Sequence, residues 1–333
     1  MKGETWRRRL AAAAVRIGVV VTALGLVWLC ALAYWEHDER LRYPPPGQLI
    51  AIGDGREIHL RTWGADHDGP TIILDVSAAT PSSVWAWIAG DLGERHRVVA
   101  YDRPGLGWSR GANGPRDARS AAEALRTALR IAGHEPPFIV VGHSYGGYSA
   151  RVFAGLYSDE IAGLALLDTT HPDGGGDTSY GRIYRLLAWR SHAGLMRLFP
   201  AGDEFGGLPP ADAAAARAVS GWRSHSDAAA DELEAWTLSE ADVRRFGHYG
   251  DLPLLVLSGV GSDEHLERQR DLTSLSSASE FVQLNVGHIS MMTDRQQSAQ
   301  VSRLLGRFVD EALADAEEHN RGHGQDFPLR AHR

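Results

Sequence analysis

Cysteine is nearly absent from this chain of 333 residues, with Cys30 as the lone example. That excludes an internal disulfide framework and a cysteine-rich zinc site. Basic residues do not cluster beyond the first 16 positions, and the net charge is -8. Phosphate recognition needs a concentrated basic face, so nucleic acid is excluded as a partner. There is no internal repeat, and no motif calls for a cofactor. The glycine run Asp173-Gly174-Gly175-Gly176-Asp177 offers too few ligands for calcium and reads as a flexible loop. What remains is ordinary for a globular protein, with 44% hydrophobic and 23% charged residues. The length suits two ordinary domains or one large α/β domain with an insertion.

Charge is also missing from Ile17 to Trp35, directly after Lys2, Arg7, Arg8, Arg9 and Arg16. At a helical rise of about 1.5 Å per residue the run spans roughly 28 Å, close to a bilayer core. Trp28, Tyr34 and Trp35 sit toward its far end, where amphipathic rings favour the interface, and Glu36, Asp38 and Glu39 follow. The expectation is a basic cytoplasmic segment 1–16, a membrane span 17–35 and an extracytoplasmic remainder. A cleavable signal peptide is the rival, because Ala31-Leu32-Ala33 offers a small-residue cleavage pattern. Either reading exports the domain.

Pro44-Pro45-Pro46-Gly47 reads as the stiff end of a linker, 36–47. An alternating strand, Arg56–Trp63, places Ile58, Leu60 and Thr62 on one face. Short apolar runs then follow at Thr71–Val76, Val98–Tyr101, Phe138–Gly142, Ile161–Asp168, Leu254–Ser258 and Phe281–Asn285, as strands buried on both faces require. Helical patterns at Ser82–Gly93, Ala118–Ala132, Tyr145–Tyr157 and Arg295–Ala316 separate or follow them. Strands alternating with helices predict a mainly parallel sheet covered on both faces. The alternation fails over 169–250, where Ile183–Trp189, Ala211–Val219 and Ala228–Trp236 are helix-prone. That stretch is expected to form a helical cap inserted into a core built from 48–168 and 251–316. The polar tail 317–333 is expected to be disordered.

Gly142-His143-Ser144-Tyr145-Gly146 has the Gly-x-Ser-x-Gly pattern, which is weak alone and specific in context. An apolar strand precedes it and a helical pattern follows, the setting in which a serine is raised on a sharp turn. Ser144 is therefore the candidate nucleophile. The Tyr145 backbone N–H would face a developing oxyanion. A serine needs a positioned base, which belongs after the last strand. Val286-Gly287-His288 supplies it, with His288 at a strand end. His143 adjoins the serine, but neighbours on such a turn point apart, and His171, His248 and His265 lack an equivalent strand-end place. The orienting acid is favoured at Asp263, after strand Leu254–Ser258, with Asp168 and Glu264 as alternatives.

At these residues the chain resembles the α/β-hydrolase fold family, as an exported bacterial member with an N-terminal membrane segment. The likeness runs from about Pro45 to Val309. It rests on Tyr101-Asp102-Arg103-Pro104-Gly105-Leu106-Gly107-Trp108-Ser109, on Gly142–Gly147, on Leu164–Pro172 and on Val286–His288. The resemblance implies an eight-stranded-type sheet and a second oxyanion N–H in the turn after the third strand. Such enzymes usually carry glycine in that turn. Here it reads Asp75-Val76-Ser77-Ala78-Ala79, so the donor by position is Ala78, or else Ala79. Hydrolysis of a carboxylic ester of a small or lipophilic molecule is the expected function, with Ser144, His288 and Asp263 in the triad. Trp189, Trp222 and Trp236 are candidates for an apolar pocket, or else for packing within the cap. The lost glycine motivates the alternative, a catalytically degenerate fold that binds a ligand or partner.

Overall fold

The computed structural model describes residues 2–111, 114–174, 179–198 and 203–323. It divides into two units, Met1–Pro44 and Pro45–Arg333. The first is a helix, α1 (Lys2–Arg42), containing a stretch of mean hydropathy 2.3 that is long and apolar enough to cross a membrane. The helix outlasts the apolar run because its polar end carries ion pairs one turn apart. Arg40 reaches Glu36 at 2.9 Å and Arg42 reaches Asp38 at 2.7 Å. The expected linker 36–47 is thus helical as far as Arg42.

The second unit begins with a hairpin of β1 (Gln48–Gly53) and β2 (Arg56–Trp63). Its turn is Asp54-Gly55, both at positive φ, the conformation a two-residue hairpin loop demands. The sequence reading did not assign β1. In β2, Ile58 and Leu60 are buried as expected, while Thr62 is exposed near the strand's end. The chain continues through β3 (Thr71–Asp75), α2 (Ala86–Leu92), β4 (Val98–Tyr101), α3 (Ala118–Ile131), β5 (Phe138–His143), α4 (Gly146–Leu156) and β6 (Ile161–Leu167). After the inserted helices come β7 (Leu254–Ser258), α10 (Asp263–Asp271), β8 (Ser279–Gln283), α11 (Ser290–Thr293) and α12 (Arg295–His323). Strand β8 starts two residues before the expected Phe281, at Ser279 opposite Leu254. It is one of the two edge strands, so polar residues are tolerated on it.

The eight strands form one sheet in the order β1-β2-β4-β3-β5-β6-β7-β8. Pairing is parallel from β4 through β8 and antiparallel where β2 meets β1 and β4. The central strands are buried on both faces, which accounts for their unbroken apolar runs. Alternate residues serve opposite layers. Ile73, Val140, Leu164 and Val256 pack under α3 and α4, against Leu125, Leu129, Val152 and Phe153. Ile72, Ile139, Ala165 and Leu255 face α2 and α12, against Ile88, Leu92, Val301 and Leu305.

Between β6 and β7 lie α5 (Ser179–His192), α6 (Leu195–Leu198), α7 (Pro210–Ser220), α8 (Arg223–Glu234) and α9 (Trp236–Arg244), with no strand among the described residues. The expected helix Ala228–Trp236 is broken at Ala235, which ends α8 and begins α9. At the other end of the chain α12 continues to His323, beyond the expected limit at 316. The helix therefore occupies the start of the tail expected to be disordered, and 324–333 lie outside the described residues. Residues 175–177 of the glycine run lie outside them as well.

Candidate active site

Ser144 sits between β5 and α4 with φ at 55°, the left-handed region that a side chain enters at a cost of about 1–2 kcal/mol. Its backbone is held on both sides. Its N–H donates to Leu167 O at 3.2 Å, and its carbonyl accepts from Thr170 N–H at 3.1 Å. The turn also needs room: a Cβ on Gly146 would lie 2.6 Å from the Asp75 and Val76 carbonyl oxygens. Backbone cannot yield as a flexible side chain does, so glycine is required there.

His288 follows β8 through a loop, and its Nε2 lies 3.1 Å from Ser144 Oγ. Its Nδ1 lies 2.5 Å from Asp168 Oδ2. An ionised carboxylate only accepts, so Nδ1–H donates to Asp168 and Nε2 is left to accept the serine proton. Asp168 follows β6 directly, and the sheet order sets β6 beside β5, next to Ser144. Its second oxygen accepts from Gly259 N–H at 3.0 Å and from His265 Nε2–H at 2.8 Å. Burial alone would raise the Asp168 pKa. The hydrogen bond and charge of His288, with the bonds from Gly259 and His265, outweigh burial and hold the carboxyl well below the usual range.

The expected acid Asp263 is not in this arrangement. It is the exposed first residue of α10, behind the cap Ser262, where a carboxylate complements the helix dipole. The one imidazole nitrogen that could take an orienting acid is already bonded to Asp168. Glu264 points to Arg268, at 2.6 Å.

His143 backs His288. Its Nε2–H donates to the His288 carbonyl at 2.9 Å, and its Nδ1 lies 3.3 Å from Ser77 Oγ. Burial, and then the charge of His288, push its pKa down to about 3, so it stays neutral and holds the loop.

The turn after β3 is clamped without glycine. Ala79 has φ at 55°. Its N–H donates to Glu232 Oε2 at 3.2 Å and its carbonyl accepts from His225 Nε2–H at 3.0 Å, both partners on α8. Arg103 donates to the Val76 and Ser77 carbonyls at 2.6 and 2.8 Å, and to Glu232 Oε1 at 2.6 Å. Burial works against the Arg103 charge, but Glu232 and Asp75 outweigh it and keep the guanidinium protonated. The N–H groups of Ala78 and Tyr145 have no hydrogen-bond partner among the described residues. Sequence reading weighed His265 only as a base and quoted Arg103 only within the motif ending at Ser109, and it did not single out His225 or Glu232. Arg103 and Glu232 stand 129 positions apart, and only the packing of α8 joins them.

A cavity of about 400 Å³ opens beside Ser144 and His288, lined also by Thr169, Thr170, His171 and Val260. None of the three tryptophans singled out above lines it. Trp222 is buried edge-on to Trp108 at 6.4 Å, and Trp236 stacks on Tyr145 at 5.2 Å. Trp189 is 60% exposed.

Known proteins share this fold. The family model for the alpha/beta hydrolase fold matches residues 78–193. An uncharacterized protein of Bacillus subtilis, YqjL, is 26% identical over 63% of this chain and 70% of its own length. Other curated relatives are matched over 34% and 38% of their lengths. The enol-lactonase of Burkholderia xenovorans superposes with a TM-score of 0.60 at 22% identity, covering 78% of this chain and 99% of its own. A bacterial membrane phospholipase A reaches a TM-score of 0.58 at 22% identity, over 92% of this chain and 99% of its own. Sheet order, elbow turn and family model agree: the chain has the α/β-hydrolase fold.

Proposed function

We propose that this protein is a serine hydrolase that cleaves a carboxylic ester through an acyl-enzyme on Ser144. One observation carries the reading: the relay from Ser144 Oγ to His288 Nε2, at 3.1 Å, and from His288 Nδ1 to Asp168, at 2.5 Å. Ser144 Oγ attacks the carbonyl carbon as its proton passes to His288. The oxyanion is received by the N–H groups of Tyr145 and Ala78, which are free to donate to it. His288 returns the proton to the leaving alcohol, and water then repeats the cycle to release the acid. Asp168 orients His288 and stabilises its charged form. The relatives named for lactone and phospholipid chemistry, an enol-lactonase and a phospholipase A, favour an ester over an amide. Residues 169–250 act as a cap whose helix α8 braces the turn carrying Ala78. The span 17–35 within α1 anchors the protein with its N-terminus in the cytoplasm and the hydrolase unit outside.

The test is acyl-enzyme trapping. The purified chain is mixed with an activated ester, quenched in acid within one turnover and digested for mass spectrometry. The peptide containing Ser144 should gain the mass of the acyl group, and Ser144→Ala should gain none. Turnover without any acylated serine would contradict the mechanism.

A further inference from the structure

The cavity beside Ser144 has a lining of mixed character, and its charged groups bear on what the ester carries. Val260 contributes the one wholly hydrocarbon side chain among its described lining residues. Helix α10 forms part of the wall and turns Arg268 and Gln269 to it. Gln269 is 1% exposed; its Nε2 donates to Thr169 O at 2.6 Å, while its Oε1 has no hydrogen-bond partner among the described residues. Thr169 Oγ1, on a residue 3% exposed, is unpartnered in the same sense. Both atoms lie buried behind the wall, so the group that α10 offers a ligand is the more exposed Arg268.

Charge narrows the class. The carboxylate of the cavity, Asp168, has both oxygens engaged by His288, His265 and Gly259. Nearby acids are engaged too: Asp173 binds Arg244 at 2.7 Å and Asp271 binds His171 at 3.0 Å. Among the described residues, the cation Arg268 has one ion pair, and it is exposed. Its Nη2 donates to Glu264 at 2.6 Å, a pair one turn apart whose glutamate side chain is 72% exposed. An exposed pair of this type contributes little and is readily exchanged for a better anion. A guanidinium can meet a carboxylate or phosphate with two parallel bonds. An alkyl chain laid against Arg268 would strip water from its guanidinium without recompense.

We infer that the substrate is an ester bearing an anion, a carboxylate or a phosphate, close to the scissile bond, and that Arg268 receives that anion. The inference rests on the Ser144 hydrolase reading. It is tested with the full chain in detergent micelles and substrates matched except for charge. One pair is p-nitrophenyl hemisuccinate and its methyl ester, with the anion on the acyl side. The other is 1-acetylglycerol 3-phosphate and 1-acetylglycerol, with a phosphate on the alcohol side. The charged member of at least one pair should have the higher kcat/KM, by about tenfold or more. The pair that responds tells carboxylate from phosphate recognition. Arg268→Gln should lower that charged-to-neutral ratio about tenfold, and Glu264→Gln, which releases the guanidinium, should raise it. A ratio near one or below in both pairs, or one that Arg268→Gln leaves unchanged, overturns the inference. If the neutral esters are turned over in that case, the hydrolase reading survives alone; if no ester is turned over and Ser144 cannot be acylated, both fall.

Discussion

His143 shows how one residue beside Ser144 links the candidate site to the stability of the whole unit. Its pKa is lowered from 6.5 to about 3, by burial first and then by the charge of His288. Unfolded, it takes up a proton near its ordinary value; folded, it resists until far lower pH. Between these values the unfolded state binds more protons, so stability falls as pH falls from 6.5 toward 3. Asp168 acts in the same direction at lower pH. Its depressed carboxyl contributes stability above its unfolded pKa that is lost as pH drops through the folded one. Urea unfolding at stepped pH should show this decline, and His143→Gln should flatten its upper part. A profile that stays level, or that His143→Gln leaves unaltered, contradicts the assignment. The residues of the relay differ in how they could be read from sequence. Ser144 and His288 stand in local patterns, a strand–turn–helix and a glycine turn after a strand. Asp168 had no such local mark, because it and Asp263 both follow strand ends. What separates them is that β6 is β5's neighbour, a fact of sheet order that no stretch of sequence contains.

At the scale of elements, the turn after β3 and helix α8 form one device. Ala79 occupies a backbone region that favours glycine, and Glu232 and His225 on α8 hold it there. Removing the Glu232 charge while keeping its shape should therefore disturb oxyanion stabilisation more than substrate binding. Glu232→Gln is expected to lower kcat about ten- to a hundredfold with KM changed by no more than about twofold, in a protein that thermal melting shows to be folded. An unchanged kcat would show that α8 does not set the turn. Elements were legible where burial leaves no choice. Strands β3 to β7 carry unbroken apolar runs because helices cover both of their faces. The edge strands β1 and β8 carry mixed residues and were missed or displaced. The break between α8 and α9 falls at Ala235, with neither glycine nor proline to announce it.

For the whole molecule, the decisive division lies between Met1–Pro44 and Pro45–Arg333. Helix α1 has the length and apolarity of a span, and five basic residues precede its apolar run. If it anchors the chain, the protein should stay in the membrane pellet after alkaline carbonate extraction. The unit from Pro45 onward should also be digested by protease added to spheroplasts, whose outer face is exposed. Release into the carbonate supernatant, or protection of that unit in intact spheroplasts, would contradict the anchored, exported arrangement. Charge and hydropathy change together at Ile17 and Glu36, whereas the division itself falls in the proline run at Pro44-Pro45. The sequence could not declare the cavity's lining, which assembles where α10 meets the loops after β5 and β6. The tryptophans marked as pocket candidates pack elsewhere or face solvent.

The central claim is that His288 and Asp168 activate Ser144, and fluorophosphonate labelling of the full chain tests it most directly. The wild-type protein should label rapidly, and Ser144→Ala and His288→Ala should not label. Asp168→Asn should slow labelling by about a thousandfold or more, while Asp263→Asn should leave the rate within about twofold. A folded wild-type protein that does not label would contradict the account, as would labelling that survives Asp168→Asn and collapses in Asp263→Asn.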